Sequence, residues 1–269
     1  MPVIASRHNP FVQRCRALAR RRDATSGEIL LDGVHLLADA LAAGVPIAAA
    51  AATRALWERD EGRAIRRSLE RAGSRVFDAT TAVIEAASPV RAPAGVVAIA
   101  QWAPLSLPEV FGAAPALAVC AAGVQDPGNL GAVIRAADAA GATACIAAAG
   151  SADPLGWKAL RGAMGSAFRV PLVAGADVFT ACAEARARGI RVLAAAPGRG
   201  RSVFDVDLTG PILFLLGGEG AGLPASVLDL ADETLTIPMR APVESLNVAV
   251  AAGVMLFEAR RQRHAGLAS

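Results

Sequence analysis

The stretch D-P-G-N-L-G-A-V-I-R, from Asp126 to Arg135, follows a run of apolar residues and opens a helical pattern. It predicts a strand-to-helix junction with a turn, the amide of Asn129, and Arg135 on the buried side of the helix. Backbone groups left free at such a junction can bind a small ligand. The stretch therefore predicts an α/β fold with a binding site at the end of a strand.

Two later segments have the same form, a short apolar strand that ends in glycine, proline or small polar residues. They are L-G-G-E-G-A-G-L-P (Leu216 to Pro224) and I-P-M-R-A-P-V-E-S-L-N-V (Ile237 to Val248). The glycines of the first of these do not follow the order G-x-G-x-x-G or G-x-x-x-x-G-K-[ST], which argues against a dinucleotide site and a P-loop. A Rossmann methyltransferase would carry its glycine-rich loop at the start of the sheet, whereas this one lies near the end of the sequence.

Composition favours a soluble globular protein with one large or two modest cores. The chain has 269 residues, of which 54% are hydrophobic and 19% charged. No run reaches the ~18 consecutive apolar residues that a membrane-spanning helix needs. The segment from Arg7 to Arg22 is basic and interrupted, unlike a signal peptide. We expect a cytoplasmic protein without a membrane anchor.

Cysteines and histidines limit the kinds of site. The four cysteines contain no C-x-x-C pair, which predicts buried reduced thiols rather than disulfides or a zinc site; they are Cys15, Cys120, Cys145 and Cys182. The three histidines lie outside all three segments; they are His8, His35 and His264. The chemistry of the segments is therefore expected to use neither a histidine base nor a metal.

Positive charge is concentrated in the first hundred residues. Residues 1–100 hold 14 arginines and 10 acidic residues, a net +4, whereas residues 101–269 hold 13 basic and 14 acidic residues, a net −1. Six arginines precede the first acidic residue, and they are Arg7, Arg14, Arg16, Arg20, Arg21 and Arg22. Such a cluster suits contacts with phosphate, although a solvated helix face is an equally open alternative.

Alternating strand-like and helix-like segments predict two α/β domains. Residues 1–102 form the smaller domain, 103–115 a proline-rich linker, and 116–269 a larger domain with a parallel sheet covered on both faces. One long charged helix is predicted over residues 55–72.

The larger domain is predicted to contain helices over residues 132–140, ending at Gly141, and over 156–168. Its terminal helix runs from Leu246 to about Arg263. Because this helix is apolar nearly all round through Phe257, we expect it to be buried.

Together the three segments resemble the motifs of the SpoU (TrmH) family of RNA ribose 2'-O-methyltransferases, in the SPOUT superfamily. The matching residues are Asn129 and Arg135 in the first segment, Gly217, Glu219 and Gly222 in the second, and Pro238, Ser245, Leu246 and Asn247 in the third. The segments S-R-H-N-P (Ser6 to Pro10) and L-L-D-G-V-H-L-L (Leu30 to Leu37) also resemble the RNA-binding domain of the family. The resemblance thus spans nearly the whole chain.

This resemblance implies a C-terminal SPOUT α/β domain with a trefoil knot, a smaller N-terminal RNA-binding α/β domain, and a homodimer. Without it, an unknotted doubly wound sheet would be the expectation. It also implies transfer of a methyl group from S-adenosyl-L-methionine to a ribose 2'-hydroxyl of rRNA or tRNA. The residues expected at the cofactor are Gly217, Ile237 and Leu246, with Leu216 and Met239 beside them. The N-terminal arginines expected at the RNA are Arg7, Arg14, Arg20, Arg21 and Arg22.

The expected catalytic residues are Asn129, Arg135, Glu219, Ser245 and Asn247. Because a sulfonium methyl is already activated, aligning the ribose hydroxyl with it is the main task, and alignment can supply ~7 to 11 kcal/mol. The family assigns proton removal to the arginine matched by Arg135, but a guanidinium is a poor base. We expect Arg135 to bind the ribose or its phosphate, and Glu219 to hold Arg135 or a loop amide. Purely structural roles also remain open, with Asn129 closing the turn and Ser245 capping the terminal helix.

Two departures from the family pattern concern loops. Gly218 stands where the family often has Asn, and the G-A-M-G run from Gly162 to Gly165 stands where a serine-containing turn is common.

Two other functions stay open, namely base methylation of tRNA, which the S-L-N sequence disfavours, and RNA binding without catalysis. With 4% aromatic residues and no tyrosine, arginine contacts to phosphate must carry most of the RNA binding.

Overall fold

A computed structural model describes residues 3–23, 25–112, 116–220 and 222–265. The chain forms two compact units, the first made of Met1–Ala103 and Leu155–Phe168, the second of Pro104–Pro154 and Arg169–Ser269. The second unit therefore surrounds, in sequence, a short segment that belongs to the first. Residues 113–115 of the predicted linker lie outside the described residues.

The first unit is a five-stranded mixed sheet with helices on both faces. Its elements are β1 (Val3–Ile4), α1 (Pro10–Arg20), β2 (Glu28–Asp32), α2 (Val34–Ala42), β3 (Ile47–Thr53), α3 (Arg54–Trp57), α4 (Asp60–Arg71), β4 (Arg75–Ala79), α5 (Thr81–Ala87) and β5 (Val96–Gln101). The strand order is β1-β4-β3-β5-β2; β5 runs antiparallel to β2 and β3, and the other pairs are parallel. Buried Phe11, Val12 and Cys15 of α1 share one core with Val83 and Ile84 of α5.

The second unit is a seven-stranded sheet in which every strand pair is parallel. The elements from residue 104 onward are α6 (Leu107–Val110), β6 (Leu117–Ala122), α7 (Pro127–Ala140), β7 (Ala144–Ala148), α8 (Trp157–Ala163, in the first unit), β8 (Leu172–Ala176), α9 (Val178–Ala187), β9 (Arg191–Ala195), β10 (Arg201–Ser202), β11 (Ile212–Gly217), α10 (Ala225–Leu228), β12 (Glu233–Thr236) and α11 (Val248–Ala265). The strand order is β10-β12-β9-β11-β6-β7-β8.

Strand β6 shows that this sheet is covered on both faces, because all six of its residues are buried. Successive side chains of a strand point to opposite faces. Cys120 shares a core with α6, α9 and α10, whereas Val119, also buried, points toward the opposite face, on which α7 and α11 pack against β6. Such continuous apolar strands are typical of parallel sheets.

Helices α7 and α11 lie side by side and parallel. The Asn247 side chain, just before α11, donates to the side chain of Asn129 in the first turn of α7, at 3.0 Å. Near the other ends, Arg260 of α11 donates to the Ala139 carbonyl at 3.3 Å. Both helices therefore begin at the edge of the sheet where the parallel strands end.

Several predicted helices differ in extent from the structure. The charged helix predicted over 55–72 is two helices, α3 and α4, because the backbone of Arg59 between them is extended. Gly62 lets the two pack closely, since a Cβ there would lie 2.0 Å from the Leu56 carbonyl oxygen. The helix predicted over 132–140 begins earlier, at Pro127, and ends at Gly141 as predicted. The helix predicted over 156–168 ends at Ala163, before two residues with positive φ.

The prediction that the terminal helix is buried was wrong for one of its faces. Val250 is 52% exposed and Phe257 48% exposed, and Gly253 and Val254 between them are half-buried. Their spacing of three and four residues places them on one stripe of α11. Short strands β8 and β10 and helix α6, which the sequence did not predict, complete the second unit.

Within the described ranges, no helix is long and apolar enough to cross a membrane. The trefoil knot implied by the resemblance stays a prediction.

Candidate active site

The first motif begins helix α7. Asp126 is the N-cap residue, and its side chain accepts from the Asn129 N–H at 2.8 Å; Pro127 follows at the first helical position. Proline suits this position, because its missing N–H would have no helical partner there. The side chain of Asn129 is thereby held at the carboxyl-terminal edge of the sheet, in the first turn of a helix rather than in the turn that the sequence predicted.

A chain of hydrogen bonds joins Asn129 to the other two motifs. The Asn129 Nδ2 donates to the Glu219 carboxylate, and the Asn129 Oδ1 accepts from the Asn247 Nδ2 at 3.0 Å. Since a carboxylate can only accept, the orientation of the Asn129 amide follows from this contact. Three segments separated by 90 and 118 residues thus meet at one side chain.

Asn247 is the residue that starts helix α11. Its Oδ1 accepts from the N–H groups of Ala249, at 2.9 Å, and Val250, at 3.4 Å. The structural alternative for Ser245, capping the terminal helix, is therefore wrong, because Asn247 does so. The hydrogen bonds run in one direction, from the start of α11 through both asparagines to Glu219.

The glycines of the second motif allow backbone segments to pack closely. A Cβ on Gly217 would lie 2.4 Å from the Gly222 carbonyl carbon, and one on Gly218 would lie 2.1 Å from the Gly123 carbonyl oxygen. Gly218 and Gly222 also pair as an isolated antiparallel bridge. These contacts hold Glu219 beside the loop that follows β6. Gly218, where the family often has Asn, therefore occupies a place with no room for a side chain.

A small apolar cleft of about 50 Å³ lies at the carboxyl ends of β9 and β12. Three of the residues predicted at the cofactor line it, namely Ile237, Met239 and Leu246. Leu216 is buried within β11, and neither it nor Gly217 lines this cleft.

Several lining residues of the cleft were missed by the sequence predictions. They are Ala195 at the end of β9, Ala196 and Pro197 after it, Leu235 and Thr236 of β12, and Ala251 and Met255 of α11. The A-P-G run from Ala196 to Gly198 after a buried strand is a signal of the same form as the three motifs and could have indicated this loop.

Arg135 and Ser245 do not join the hydrogen-bond chain. Both are exposed, and neither side chain forms a hydrogen bond or ion pair with another described residue. The prediction that Arg135 lies on the buried side of its helix was wrong, because Leu130, Val133 and Ile134 supply that side. Arg135 points away from the sheet, so Glu219 holds an amide rather than this guanidinium.

The N-terminal arginines are only partly available. Arg14 forms an ion pair with Glu28, and the Arg16 Nε donates to the Ala86 carbonyl at 2.7 Å. Arg7, Arg20 and Arg21 are exposed and make no such bond among the described residues, whereas Arg22 is half-buried. Arg14 and Arg16 therefore stabilise the first unit, whereas Arg7, Arg20 and Arg21 are the arginines of the cluster that are open to a ligand.

No group of three or more His, Cys, Asp or Glu side chains that could hold a metal ion occurs in the described part of the chain.

Two family models match this chain. Residues 116–257 match the SpoU rRNA Methylase family, and residues 9–98 match the MRM3-like substrate binding domain. The 23S rRNA (guanosine(2553)-2'-O)-methyltransferase RlmP of Bacillus subtilis is 31% identical over 97% of this chain and 100% of RlmP. An uncharacterized tRNA/rRNA methyltransferase of Synechocystis, slr1673, is 33% identical over 97% of this chain and 94% of its own length.

Solved structures of SpoU and rRNA methyltransferases are also similar to this chain over nearly its whole length. The SpoU methyltransferase AviRb of Streptomyces viridochromogenes, crystallised with AdoMet, has a TM-score of 0.84 and 32% identity, covering 96% of this chain and 100% of AviRb. The AdoMet-bound rRNA methyltransferase of Sinorhizobium meliloti has a TM-score of 0.85 and 32% identity, covering 96% of this chain and 97% of that one. These matches confirm the predicted α/β fold class with a parallel sheet and a separate N-terminal substrate-binding domain. The chain belongs to the SpoU rRNA methylase family.

Proposed function

We propose that this protein transfers a methyl group from S-adenosyl-L-methionine to a ribose 2'-hydroxyl of ribosomal RNA. The observation that carries the proposal is the meeting of the three motifs at Asn129, which joins Glu219 and Asn247. The relatives named above as 2'-O-methyltransferases and the AdoMet-bound structures support this reaction and this cofactor. An rRNA substrate is in keeping with the cytoplasmic location expected from the sequence.

The apolar cleft fits part of the cofactor. Ile237, Met239 and Leu246 present hydrocarbon and thioether surface, which suits the faces of an adenine ring. A cleft of about 50 Å³ holds only a portion of a molecule of this size, and Gly217 and its loop are placed at the end of the adjoining strand β11 to contact the rest. When bound, S-adenosyl-L-methionine supplies an activated sulfonium methyl.

The side chains around Asn129 position the ribose. Glu219 is exposed and has a second carboxylate oxygen available to accept from a ribose hydroxyl, while the bond to Asn129 holds its first. The rigid start of α11 fixes Asn247, and through it Asn129. Accurate placement of two reacting groups is the largest contribution that such a site can make.

The proposal includes a homodimer that shares its active sites. The exposed side chains of α7 and α11 point away from the same face of the sheet, so Arg135 and the apolar stripe Val250, Gly253, Val254 and Phe257 lie on one outer surface. A second copy packed on this stripe would cover apolar area that is exposed in one chain. Arg135 would then serve the ribose phosphate held by the partner, which accounts for its lack of an ion pair here.

The first unit is proposed to bind the RNA. Arg7, Arg20 and Arg21 are exposed cations suited to phosphate, and the match to a substrate binding domain supports this role.

The test is transfer of labelled methyl from S-adenosyl-L-methionine to protein-free rRNA, followed by nuclease digestion and mass spectrometry of the nucleosides. We expect label in 2'-O-methylnucleosides. Label in a base would contradict the proposed position of transfer. Binding of both cofactor and RNA without any transfer would instead support the alternative of a catalytically inactive RNA-binding protein.

A further inference from the structure

A second cavity, of about 400 Å³, lies wholly within the first unit. Its walls come from the end of β2, the start of α2, the junction of α3 and α4, the loop before β5 and the end of α8. The volume falls in the range of pockets that hold small organic ligands, roughly 300 to 1,000 Å³. None of the residues that the proposed methyl transfer uses lines this cavity.

The inner part of the cavity combines apolar walls with one carboxylate. Val34, Leu36 and Leu56 are buried and contribute hydrocarbon surface. Asp32 is half-buried, and the Ser88 hydroxyl donates to its Oδ2, which leaves the Oδ1 and the second acceptor site of the Oδ2 for a ligand. Burial raises the pKa of Asp32, while the Ser88 hydrogen bond and the nearby Arg161 oppose that rise. A ligand that donates to this carboxylate would stabilise its ionised form.

Met164 lines the cavity with its backbone in the left-handed region. It is the one non-glycine residue with positive φ, 49°, in the described ranges, and its side chain is exposed. The next residue, Gly165, also has positive φ, and a Cβ there would lie 2.3 Å from the Asp39 Oδ2. Strain of this kind persists where the surroundings impose it, and it is concentrated at ligand sites. A flexible thioether over an apolar pocket suits contact with the face of a flat ring.

Two arginines at the cavity carry charge that is available to a ligand. Arg59 and Arg161 are both exposed, and the side chain of Arg59 makes no hydrogen bond or ion pair to another described residue. A guanidinium is well suited to binding phosphate. Elsewhere in the lining, the His35 Nδ1 lies 3.8 Å from the Glu61 Oε1.

We propose that this cavity binds a guanine base of the RNA substrate that has been turned out of its stack. Asp32 accepts from the adjacent N1–H and N2–H donors of the base, Met164 and Leu56 contact its faces, and Arg59 and Arg161 bind the flanking phosphates. Guanine is favoured because it presents two neighbouring donors to one carboxylate. A cationic peptide is disfavoured, since its charge would meet two arginines at the entrance. The inference rests on the proposed action on RNA and adds, within the first unit, a binding site for one unstacked guanine.

The experiment is an NMR titration of the full chain with mononucleotides. We expect guanosine 5'-monophosphate to bind about tenfold more tightly than inosine 5'-monophosphate, which lacks the 2-amino group, and adenosine 5'-monophosphate to bind more weakly still. Asp32→Asn should abolish the difference between the first two. Asp78→Asn, a half-buried aspartate of β4 outside the cavity, is the matched control and should retain it.

A second variant keeps the test valid if Asp32→Asn does not fold. Ala92 is exposed on the wall of the cavity, so Ala92→Phe fills the pocket from a loop and should prevent guanosine monophosphate binding. If Asp32→Asn or Ala92→Phe binds guanosine monophosphate as tightly as the wild type does, the proposal is overturned. Binding of arginine amide in the cavity without binding of any nucleotide would do the same and would indicate a peptide ligand.

Methyl transfer is measured separately, so the two proposals fail separately. If the wild type binds guanosine monophosphate through Asp32 but does not methylate rRNA, the proposed function fails. If it methylates rRNA but its nucleotide binding does not depend on Asp32 or Ala92, only the cavity proposal fails. Cofactor binding by calorimetry should be unchanged in all three variants, because none of the substituted residues lies in the second unit.

Discussion

Asn129 connects three distant parts of the chain through the two ends of one amide. The sequence predicted this residue in the site, but it did not predict its partners. Glu219 was expected to hold Arg135 or a loop amide, and the structure places the Asn129 amide against it. Sequence patterns report on neighbours within a few turns, whereas these contacts span 90 and 118 residues. The sequence could therefore name this residue as a candidate, but it could not predict the contacts that its side chain makes.

Replacing Asn129 with Ala removes the link between the second and third motifs. We expect kcat for rRNA methylation to fall about 100-fold, since small misplacements of reacting groups have effects of that size. The fold should persist, because Asp126 still caps α7. Steady-state kinetics with labelled cofactor measure the effect.

The control for this prediction is Asp126→Ala, which removes the cap and leaves the amide chain. It should lower the free energy of unfolding by about 1 kcal/mol. A larger loss of kcat in Asp126→Ala than in Asn129→Ala would contradict the role assigned to the amide.

Arg135 offers a test of catalysis without a structural cost. Its side chain is exposed and forms no hydrogen bond in the described chain, so Arg135→Ala should change the free energy of unfolding by no more than ~0.5 kcal/mol. Methyl transfer should become undetectable, and Arg135→Lys should recover only part of it because lysine cannot form a bidentate contact. Wild-type turnover in Arg135→Ala would rule out the proposed role.

Gly217 is required for close packing of the glycine loop. A Cβ at Gly217 would lie within 2.5 Å of the backbone nitrogen of Leu223, so Gly217→Ala should destabilise the protein by ~1 to 3 kcal/mol. It should also weaken S-adenosyl-L-methionine binding. Gly210 is the matched control, since nothing lies within 4 Å of its Cβ position. Urea denaturation and calorimetry of both variants check this expectation, which fails if Gly210→Ala is the more harmful.

At the scale of the element, helix α11 is less buried than its sequence predicts. An apolar sequence predicts burial, but a helix packed on one side of a sheet buries only the stripe that meets it. Ala252, Met255, Leu256 and Ala259 supply that stripe, and Val250 and Phe257 stay exposed on another. Burial against a second copy of the chain would reconcile the apolar sequence with this exposure.

Introducing a charge on the exposed stripe tests the dimer. Phe257→Asp should weaken self-association about 100-fold, equivalent to ~3 kcal/mol, because an unpaired carboxylate would be buried in an apolar contact. Phe179→Asp on α9 is the control, since Phe179 is also 48% exposed. Sedimentation equilibrium measures both variants. Equal effects, or none in either, would show that the α11 stripe is not the interface.

The methyltransferase activity of the Phe257 variant tests the sharing of active sites. If Arg135 acts on the partner's substrate, activity should fall in parallel with the dimer fraction and recover at high protein concentration. Full activity in a monomeric preparation would exclude a shared site while leaving the single-chain site intact.

At the scale of the whole molecule, alkaline stability should depend on thiols. Burial raises the pKa of Cys15 and Cys145 to about 12 and that of Cys182 to about 11, and it also raises the pKa of Cys120. The chain has no tyrosine, and Lys158 is its single lysine. Few other groups therefore titrate between pH 9 and 11.

The free energy of unfolding falls as the pH rises, because the unfolded state loses its thiol protons first. Unfolded thiols ionise near pH 9, while the folded ones stay protonated, so stability is complete below pH 9 and is lost above it. Four thiols give a slope of up to about 5 kcal/mol per pH unit near pH 10. Urea denaturation from pH 7 to 10.5 measures this slope, and Cys145→Ala should reduce it by about a quarter. A constant free energy of unfolding up to pH 10 would contradict the burial of the thiols.

The sequence by itself determined the α/β class, most strands, the three motifs and the family, because these depend on local periodicity, capping residues and motif order. Helix α7 with its glycine end is one example, and the six buried residues of β6 are another. The tertiary structure alone decided that Asn129 joins Glu219 and Asn247, that Arg135 faces outward, and that Leu155–Phe168 belongs to the first unit. Such features depend on which distant surfaces exclude water together, a property of the packed chain that no local pattern contains.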